Sequence, residues 1–103
     1  AFAVTTFPYP VQRALREDRH GLLRWRWPEH AATRSQDLPC LVHDAGMFYW
    51  VKVPEFTRRA DMMLNAVPVR LPRWAVQDID TPEDWRTAEI MCELIEQARL
   101  RPA

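Results

Sequence analysis

The chain has 103 residues, an apolar content of 48%, and fourteen basic residues balanced by fourteen acidic ones. These values predict one packed domain or part of one, and the absence of net charge gives no support to nucleic-acid binding. No apolar run approaches the roughly eighteen residues of a membrane span, and no secretory signal opens the chain. We therefore expect a cytoplasmic protein without membrane or nucleic-acid partners.

The first third of the chain predicts a buried strand followed by a β-hairpin. Residues 2–7 are β-prone and almost continuously apolar, and two prolines end the run. Strands over residues 11–16 and 22–27 flank a polar turn that ends at Gly21. The second of these strands places Leu23, Trp25 and Trp27 on one face. That face is interpreted first as a half-buried sheet face, then as an oligomer contact, with nucleic-acid binding a third possibility.

The middle of the chain predicts an irregular connection, a strand or strand pair, a short helix and an edge strand. These occupy residues 28–39, 41–53, 55–64 and 67–71 in turn. Gly46 within the second predicts an unusual backbone conformation or a close approach. Cys40 and Cys92 lie far apart without metal-ligand spacing, so buried free thiols are expected. The chain begins in mid-strand without Met, and we expect it to be part of a larger protein.

The segment around residues 78–85 predicts the end of a strand and the start of the last helix. A strand over residues 74–77 would direct Asp78 and Asp80 to the same side. Thr81 is a good N-cap for a helix over residues 82–99, with Asp84 completing a near capping box. Two carboxylates there would suit Mg²⁺, which prefers oxygen ligands. The alternative is that the acidic residues only complement the helix dipole.

Three other polar clusters each have two interpretations. His43, Asp44 and Gly46 with Tyr49 could form the lip of a small-molecule pocket, or a hydrogen-bonded structural element. Arg34 and Gln36 could bind the carboxylate of a sugar acid, because arginine binds planar anions in a bidentate manner, or could belong to a solvated turn. Cys40 and His43 have the residue types of a nucleophile and base, but nothing in the sequence orients them. With two glycines in the chain, no phosphate-binding glycine loop is present.

Four segments resemble the C-terminal part of the acylneuraminate cytidylyltransferase family, in the order found in that family. They are FPYPVQRAL at residues 7–15, RSQDL at 34–38, HDAGMFYW at 43–50 and DIDTPEDW at 78–85. Together they extend over nearly the whole chain. The resemblance implies the C-terminal half of a Rossmann-like α/β nucleotidyltransferase. Its expected features are a mainly parallel sheet, a protruding dimerisation hairpin over about residues 11–40, and a strand and long helix over about residues 67–103.

The same resemblance implies an enzyme that transfers CMP from CTP to a nonulosonic acid, an acidic nine-carbon sugar of the sialic or pseudaminic type. Asp78 and Asp80 match the family's catalytic Mg²⁺-binding pair. Arg34 and Gln36 match positions that face the sugar acid, in the same or the neighbouring subunit of a homodimer. Gly46 and Tyr49 match the sugar-pocket strand.

The family's glycine-bearing CTP loop is absent from these 103 residues, so we expect the chain alone to be inactive. Val42 and Met47 also depart from the family pattern, in which related enzymes commonly have tyrosine and glutamine. The alternative is a non-catalytic dimerisation or interaction module that uses the aromatic hairpin face.

Overall fold

The computed structural model describes residues 1–58 and 65–101. The strands are β1 (Phe2–Thr6), β2 (Leu15–Glu17), β3 (Leu23–Trp25), β4 (Val42–Tyr49) and β5 (Pro68–Arg70), and the α-helices are α1 (Val53–Arg58) and α2 (Pro82–Leu100). No helix in this part of the chain combines the length and apolar character needed to cross a bilayer. The chain divides into two compact units, one of Ala1–Thr5 with Asp44–Ala103 and the other of Thr6–His43.

A three-stranded sheet has β1 at its centre, in the order β4-β1-β5. β5 pairs with β1 in parallel, with Phe2 opposite Pro68 and Val4 opposite Arg70. Ala1 and Trp50, which flank β1 and β4, donate a backbone hydrogen bond to each other at 2.9 and 2.7 Å. This mutual exchange is typical of antiparallel strands. The α/β class is confirmed, but the sheet is mixed, so the prediction of a mainly parallel sheet is wrong. Trp50, which follows β4, pairs with Ala1, which precedes β1, so these two strands run in opposite directions.

The core of the sheet lies around β1, as the apolar run over residues 2–7 predicts. Ala3, Val4 and Thr5 are buried, and Ala45 on β4 joins them. The Thr5 hydroxyl donates to the Leu71 carbonyl at 2.8 Å, which satisfies the polar group of this buried side chain. The predicted edge strand is confirmed as β5, where proline costs no ladder hydrogen bond on the solvent side.

The predicted hairpin is present but shorter than expected, because residues 11–13 form a 3₁₀ turn after Pro10 rather than the start of a strand. β2 and β3 pair in antiparallel register, with Leu15 opposite Trp25. Asp18 stabilises the connecting turn: its carboxylate accepts the Leu22 and His20 backbone N–H groups and the Arg24 guanidinium. The pKa of Asp18 is lowered, first by the Leu22 N–H and then by Arg24.

Two arginine side chains lie over the two tryptophan rings of the hairpin. Trp25 and Trp27 are half-buried. The Arg13 guanidinium carbon lies 5.6 Å from the centre of the Trp25 ring, and that of Arg26 lies 4.9 Å from the centre of the Trp27 ring. Both distances suit cation–π attraction. This environment fits a half-buried sheet face for the two tryptophans, whereas Leu23 on the same face is 68% exposed.

The last helix is confirmed over its whole predicted length, residues 82–99, and continues to Leu100. Ala88, Met91 and Ile95 recur at helical spacing and are half-buried. The predicted apolar face was too wide, because Trp85 is 59% exposed and Cys92 is also exposed. Both cysteines are free, as expected, but neither is buried.

The predicted helix over residues 55–64 is confirmed only at its start, where α1 extends from Val53 to Arg58. The rest of that prediction lies outside the described residues.

Candidate functional site

The start of α2 is fixed by a reciprocal cap. The Asp84 backbone N–H donates to the Thr81 hydroxyl at 3.1 Å, and the Thr81 backbone N–H donates to the Asp84 carboxylate at 3.0 Å. The Asp80 backbone N–H donates to the same carboxylate oxygen at 3.0 Å. These bonds lower the pKa of Asp84, the Asp80 N–H having the largest effect. Asp84 is therefore a capping residue, as predicted, and its carboxylate is occupied by backbone donors.

The strand predicted before this helix is wrong. Arg73–Ala75 form a 3₁₀ turn after Pro72, and residues 76–79 have no regular secondary structure. β-prone residues need a neighbouring strand to pair with, and this segment has none in the described sheets. Strand alternation therefore does not direct Asp78 and Asp80 to the same side. Both side chains are exposed.

Asp78 nevertheless has a defined position, against the backbone of β4. Gly46 has a φ of +67°, and a Cβ atom added there would lie 3.2 Å from the Asp78 carboxyl carbon. Contacts of 3.2 Å are tighter than almost all real Cβ contacts. The expectation that Gly46 marks an unusual backbone conformation or a close approach is confirmed in both respects, and the group that approaches is the carboxyl of the candidate site residue Asp78.

Asp44 and Tyr49 complete the surroundings of Gly46. One Asp44 oxygen accepts the Gly46 backbone N–H at 2.9 Å, and the other accepts the Tyr49 hydroxyl. The bond to Asp44 is the main reason why the pKa of Tyr49 is raised, with smaller contributions from burial and from the charges of Asp44 and Asp78. Asp44, Gly46, Tyr49 and Asp78 thus form one group, which we call the Gly46 cluster.

The Gly46 cluster combines two of the predicted sugar-pocket residues, Gly46 and Tyr49, with one of the predicted metal ligands, Asp78. Asp44 adds a hydrogen-bonding role that the sequence suggested only as one of two interpretations of residues 43–49. Asp80 follows two residues after Asp78, at the bend that leads into α2. The signal that could have identified Asp44 is the glycine two residues after it, which bends β4.

The donor set suits a hard cation of the magnesium type. No group of three histidine, cysteine, aspartate or glutamate side chains with metal-ligand placement occurs among residues 1–58 and 65–101. Mg²⁺ does not require such a group, since it commonly binds one or two carboxylates, several waters and substrate phosphate oxygens. Asp78 and Asp80 offer two exposed carboxylates, and the missing side chain at Gly46 lets the first of them lie close to the β4 backbone.

The remaining predicted residues lie in the other compact unit. Arg34 directly precedes the 3₁₀ turn Ser35–Asp37, and both Arg34 and Gln36 are exposed. In the same unit, a shallow cavity is lined by residues 7–12, by residues 38–41 and by Ser35. Gln12 donates to the Pro39 carbonyl at 3.0 Å and so connects two of these segments. The exposed turn agrees with the solvated interpretation of this cluster and leaves Arg34 accessible to an anion.

Two curated proteins from Campylobacter jejuni subsp. jejuni, of serotypes O:23/36 and O:2, are each named pseudaminic acid cytidylyltransferase. Each is 36% identical to this chain over 91 residues. The chain is similar to pseudaminic acid cytidylyltransferase.

This similarity extends over 87% of the present chain and 39% of each relative, so the chain spans well under half the length of the curated relatives it matches. The resemblance drawn from the four sequence segments is confirmed, and the shared length fits a likeness to the C-terminal part of such an enzyme. No family model matches the chain.

Proposed function

We propose that this chain is part of a cytidylyltransferase that transfers CMP from CTP to a nonulosonic acid and releases pyrophosphate. The observation that carries the proposal is the Gly46 cluster, in which residues from the segments 43–50 and 78–85 meet. These are two of the four segments on which the family resemblance rests. The 36% identity to two pseudaminic acid cytidylyltransferases supports the reaction class and favours a pseudaminic-type sugar.

In the proposed reaction a sugar hydroxyl oxygen forms a bond to the α-phosphorus of CTP. The bond from that phosphorus to the β-phosphate oxygen breaks, and the hydroxyl proton is released. Asp78 and Asp80 would hold Mg²⁺. The chemistry that Mg²⁺ supplies at such a site is neutralisation of charge on the phosphate oxygens and orientation of the reactants. Asp78 has a defined position for this role, because the missing side chain at Gly46 lets its carboxylate lie against the β4 backbone.

The proposed sugar contacts are Tyr49, the Gly46 backbone, Arg34 and Gln36, the last two from the same or the neighbouring subunit. Tyr49 and the Gly46 backbone would contact the sugar on the β4 side, as in a sugar-pocket strand. Arg34 would pair with the sugar carboxylate, because its planar guanidinium matches a carboxylate with two parallel hydrogen bonds. Gln36 would add an amide hydrogen bond. A homodimer with a Rossmann-like complete fold is part of this proposal.

The CTP loop would come from residues outside these 103. A loop that cradles phosphates needs several glycines, and the chain has two, at positions 21 and 46. The proposal therefore predicts that the isolated chain makes no CMP-sugar from CTP. Detectable synthesis by the 103 residues alone would contradict this part of the proposal.

The test measures whether CMP-pseudaminic acid binds to the chain in a Mg²⁺-dependent manner, by isothermal titration. The expected result is that the double variant Asp78→Asn, Asp80→Asn loses the Mg²⁺ dependence. The matched control is Glu83→Gln, which removes one negative charge from the same helix start but not from the Gly46 cluster. Equal behaviour of the parent and the double variant would support the non-catalytic alternative. If Glu83→Gln loses the Mg²⁺ dependence to the same extent, the effect reflects negative charge anywhere at the helix start and not the two aspartates.

The alternative, a dimerisation or interaction module, is favoured by the exposed apolar residues of the hairpin. Leu22 and Leu23 are 57% and 68% exposed, beside the half-buried Trp25. Exposed leucines next to an aromatic face favour a partner contact. Sedimentation of the parent and of Leu23→Asp tests this directly: a dimer that the variant dissociates supports the hairpin contact, and a monomeric parent excludes it.

A further inference from the structure

The hydrogen bond between Asp44 and Tyr49 requires a bent strand. Five residues of extended strand separate two Cα atoms by about 16 Å, which is too far for these two side chains to bridge. In a regular strand the two side chains would also lie on opposite faces. Gly46, with its φ of +67°, lies between them within β4 and supplies the bend. Asp44 secures that bend itself, because its second oxygen accepts the Gly46 backbone N–H.

The same bond fixes what the Tyr49 hydroxyl can do for a ligand. A phenol has one proton to donate, and here it is donated to the Asp44 carboxylate. Hydrogen bonds to an ionised acceptor are stronger than neutral ones, so this orientation is well maintained. The oxygen lone pairs that remain can only accept. Tyr49 is 43% exposed, so a ligand can reach this oxygen.

We infer that Asp44 is a positioning residue that fixes the Tyr49 phenol as a hydrogen-bond acceptor, so that Tyr49 selects a ligand group bearing a proton, either a hydroxyl or an amide N–H. This inference rests on the proposed function, in which Tyr49 contacts the sugar. It specifies the chemistry of that contact: the sugar donates and Tyr49 accepts. Asp44 itself need not touch the ligand.

The variant Asp44→Asn separates this role from a merely structural one. The asparagine oxygen can still accept the Gly46 N–H, so the bend can persist. Its NH₂ group then faces the phenol and donates to it, which frees the Tyr49 proton to be donated to a ligand. The substitution therefore reverses the hydrogen-bonding role of Tyr49 with almost no change of side-chain volume.

The first measurement uses the ultraviolet Raman spectrum of the 103-residue chain carrying Tyr9→Phe. The chain has two tyrosines, so Tyr49 is then the one observed. The ring-mode doublet of Tyr49 reports whether its phenol donates a strong hydrogen bond or accepts one. We expect a strong donor spectrum in this background and its loss when Asp44→Asn is added. A Tyr49 spectrum typical of a hydroxyl bonded to water, unchanged by Asp44→Asn, would overturn the inference.

The second measurement compares the affinity of pseudaminic acid with that of analogues methylated one at a time at each hydroxyl oxygen and each amide nitrogen. Against the chain with Asp44, one methylated position should bind roughly three- to tenfold more weakly, the size of one net hydrogen bond. Against Asp44→Asn and Tyr49→Phe this difference should disappear. If no position shows the difference while the sugar itself binds, the inference is wrong and the proposed function stands. If the sugar does not bind the parent chain, the proposed sugar pocket fails and this inference fails with it.

Discussion

Replacing Gly46 with alanine should both destabilise the protein and displace Asp78. A non-glycine residue in the left-handed region costs about 1–2 kcal/mol. Stiffening of the unfolded chain offsets about 0.4–1 kcal/mol of that. The net loss is then about 1 kcal/mol, or a Tm roughly 4–8 °C lower for a domain of this size. The added Cβ would lie 3.2 Å from the Asp78 carboxyl carbon and 3.3 Å from one of its oxygens. Asp78 is an exposed side chain and can rotate away, so we expect its displacement to add little to the loss of stability.

The chain provides a matched control in Gly21→Ala. Gly21 has a similar φ of +76°, but the nearest atom to an added Cβ is a Glu17 carboxylate oxygen at 3.5 Å, an ordinary contact. Both variants should therefore lose similar stability in thermal and urea unfolding, while only Gly46→Ala should weaken Mg²⁺ binding. Unchanged stability in Gly46→Ala would refute the backbone argument. Equal Mg²⁺ affinity in Gly46→Ala and the parent would refute the role given to the position of Asp78 against Gly46.

Four further predictions follow from individual residues. Thr81→Ala should cost about 1 kcal/mol through loss of the helix cap, measured by urea unfolding. The pKa of Asp84 is lower in the folded chain than in the unfolded chain. The ionised Asp84 therefore contributes its full stabilisation above about pH 4, and this contribution is lost as the pH falls through the lowered pKa. Asp84→Asn should remove this contribution to the pH dependence of the free energy of unfolding. Asp18→Asn should speed hydrogen exchange of the hairpin-turn amides without affecting α2, and equal exchange would refute the role of that carboxylate. Cys40 and Cys92 should both react with a thiol reagent in the native state, whereas a thiol that reacts only after denaturation would contradict their exposure.

Features that depend on a few adjacent residues were predictable from the sequence. The cap formed by Thr81 and Asp84 requires only the right side chains three residues apart, and the structure has both of its hydrogen bonds. Gly46 was expected to mark a close approach because glycine inside a strand is costly without one. The edge position of β5 followed from Pro68 and Pro72 in the same way. In each case the residue type, a capping pair, a glycine or a proline, permits few other local structures.

Features that depend on distant partners were not predictable in this way. Residues 74–77 have strand-forming character, but whether they pair depends on sheet neighbours that local sequence does not specify. The hydrogen bond between Asp44 and Tyr49 could not be assigned from the sequence, because regular alternation places residues five apart on opposite faces of a strand. Only the bend at Gly46 brings them together. The exposure of Trp85 and Cys92 likewise depends on what packs against α2, and helical periodicity does not determine that.

The proposed function requires that a divalent cation binds where Asp78 lies against Gly46, with Asp80 as the second ligand. Titrating Mn²⁺ into the isotope-labelled chain and recording amide line broadening tests it most directly, because broadening falls steeply with distance from the ion. We expect the amide signals of Gly46, Asp78 and Asp80 to broaden first, and we expect added Mg²⁺ to reverse this broadening. Broadening centred on the first turn of α2 around Glu83, or spread evenly over the acidic surface, would contradict it.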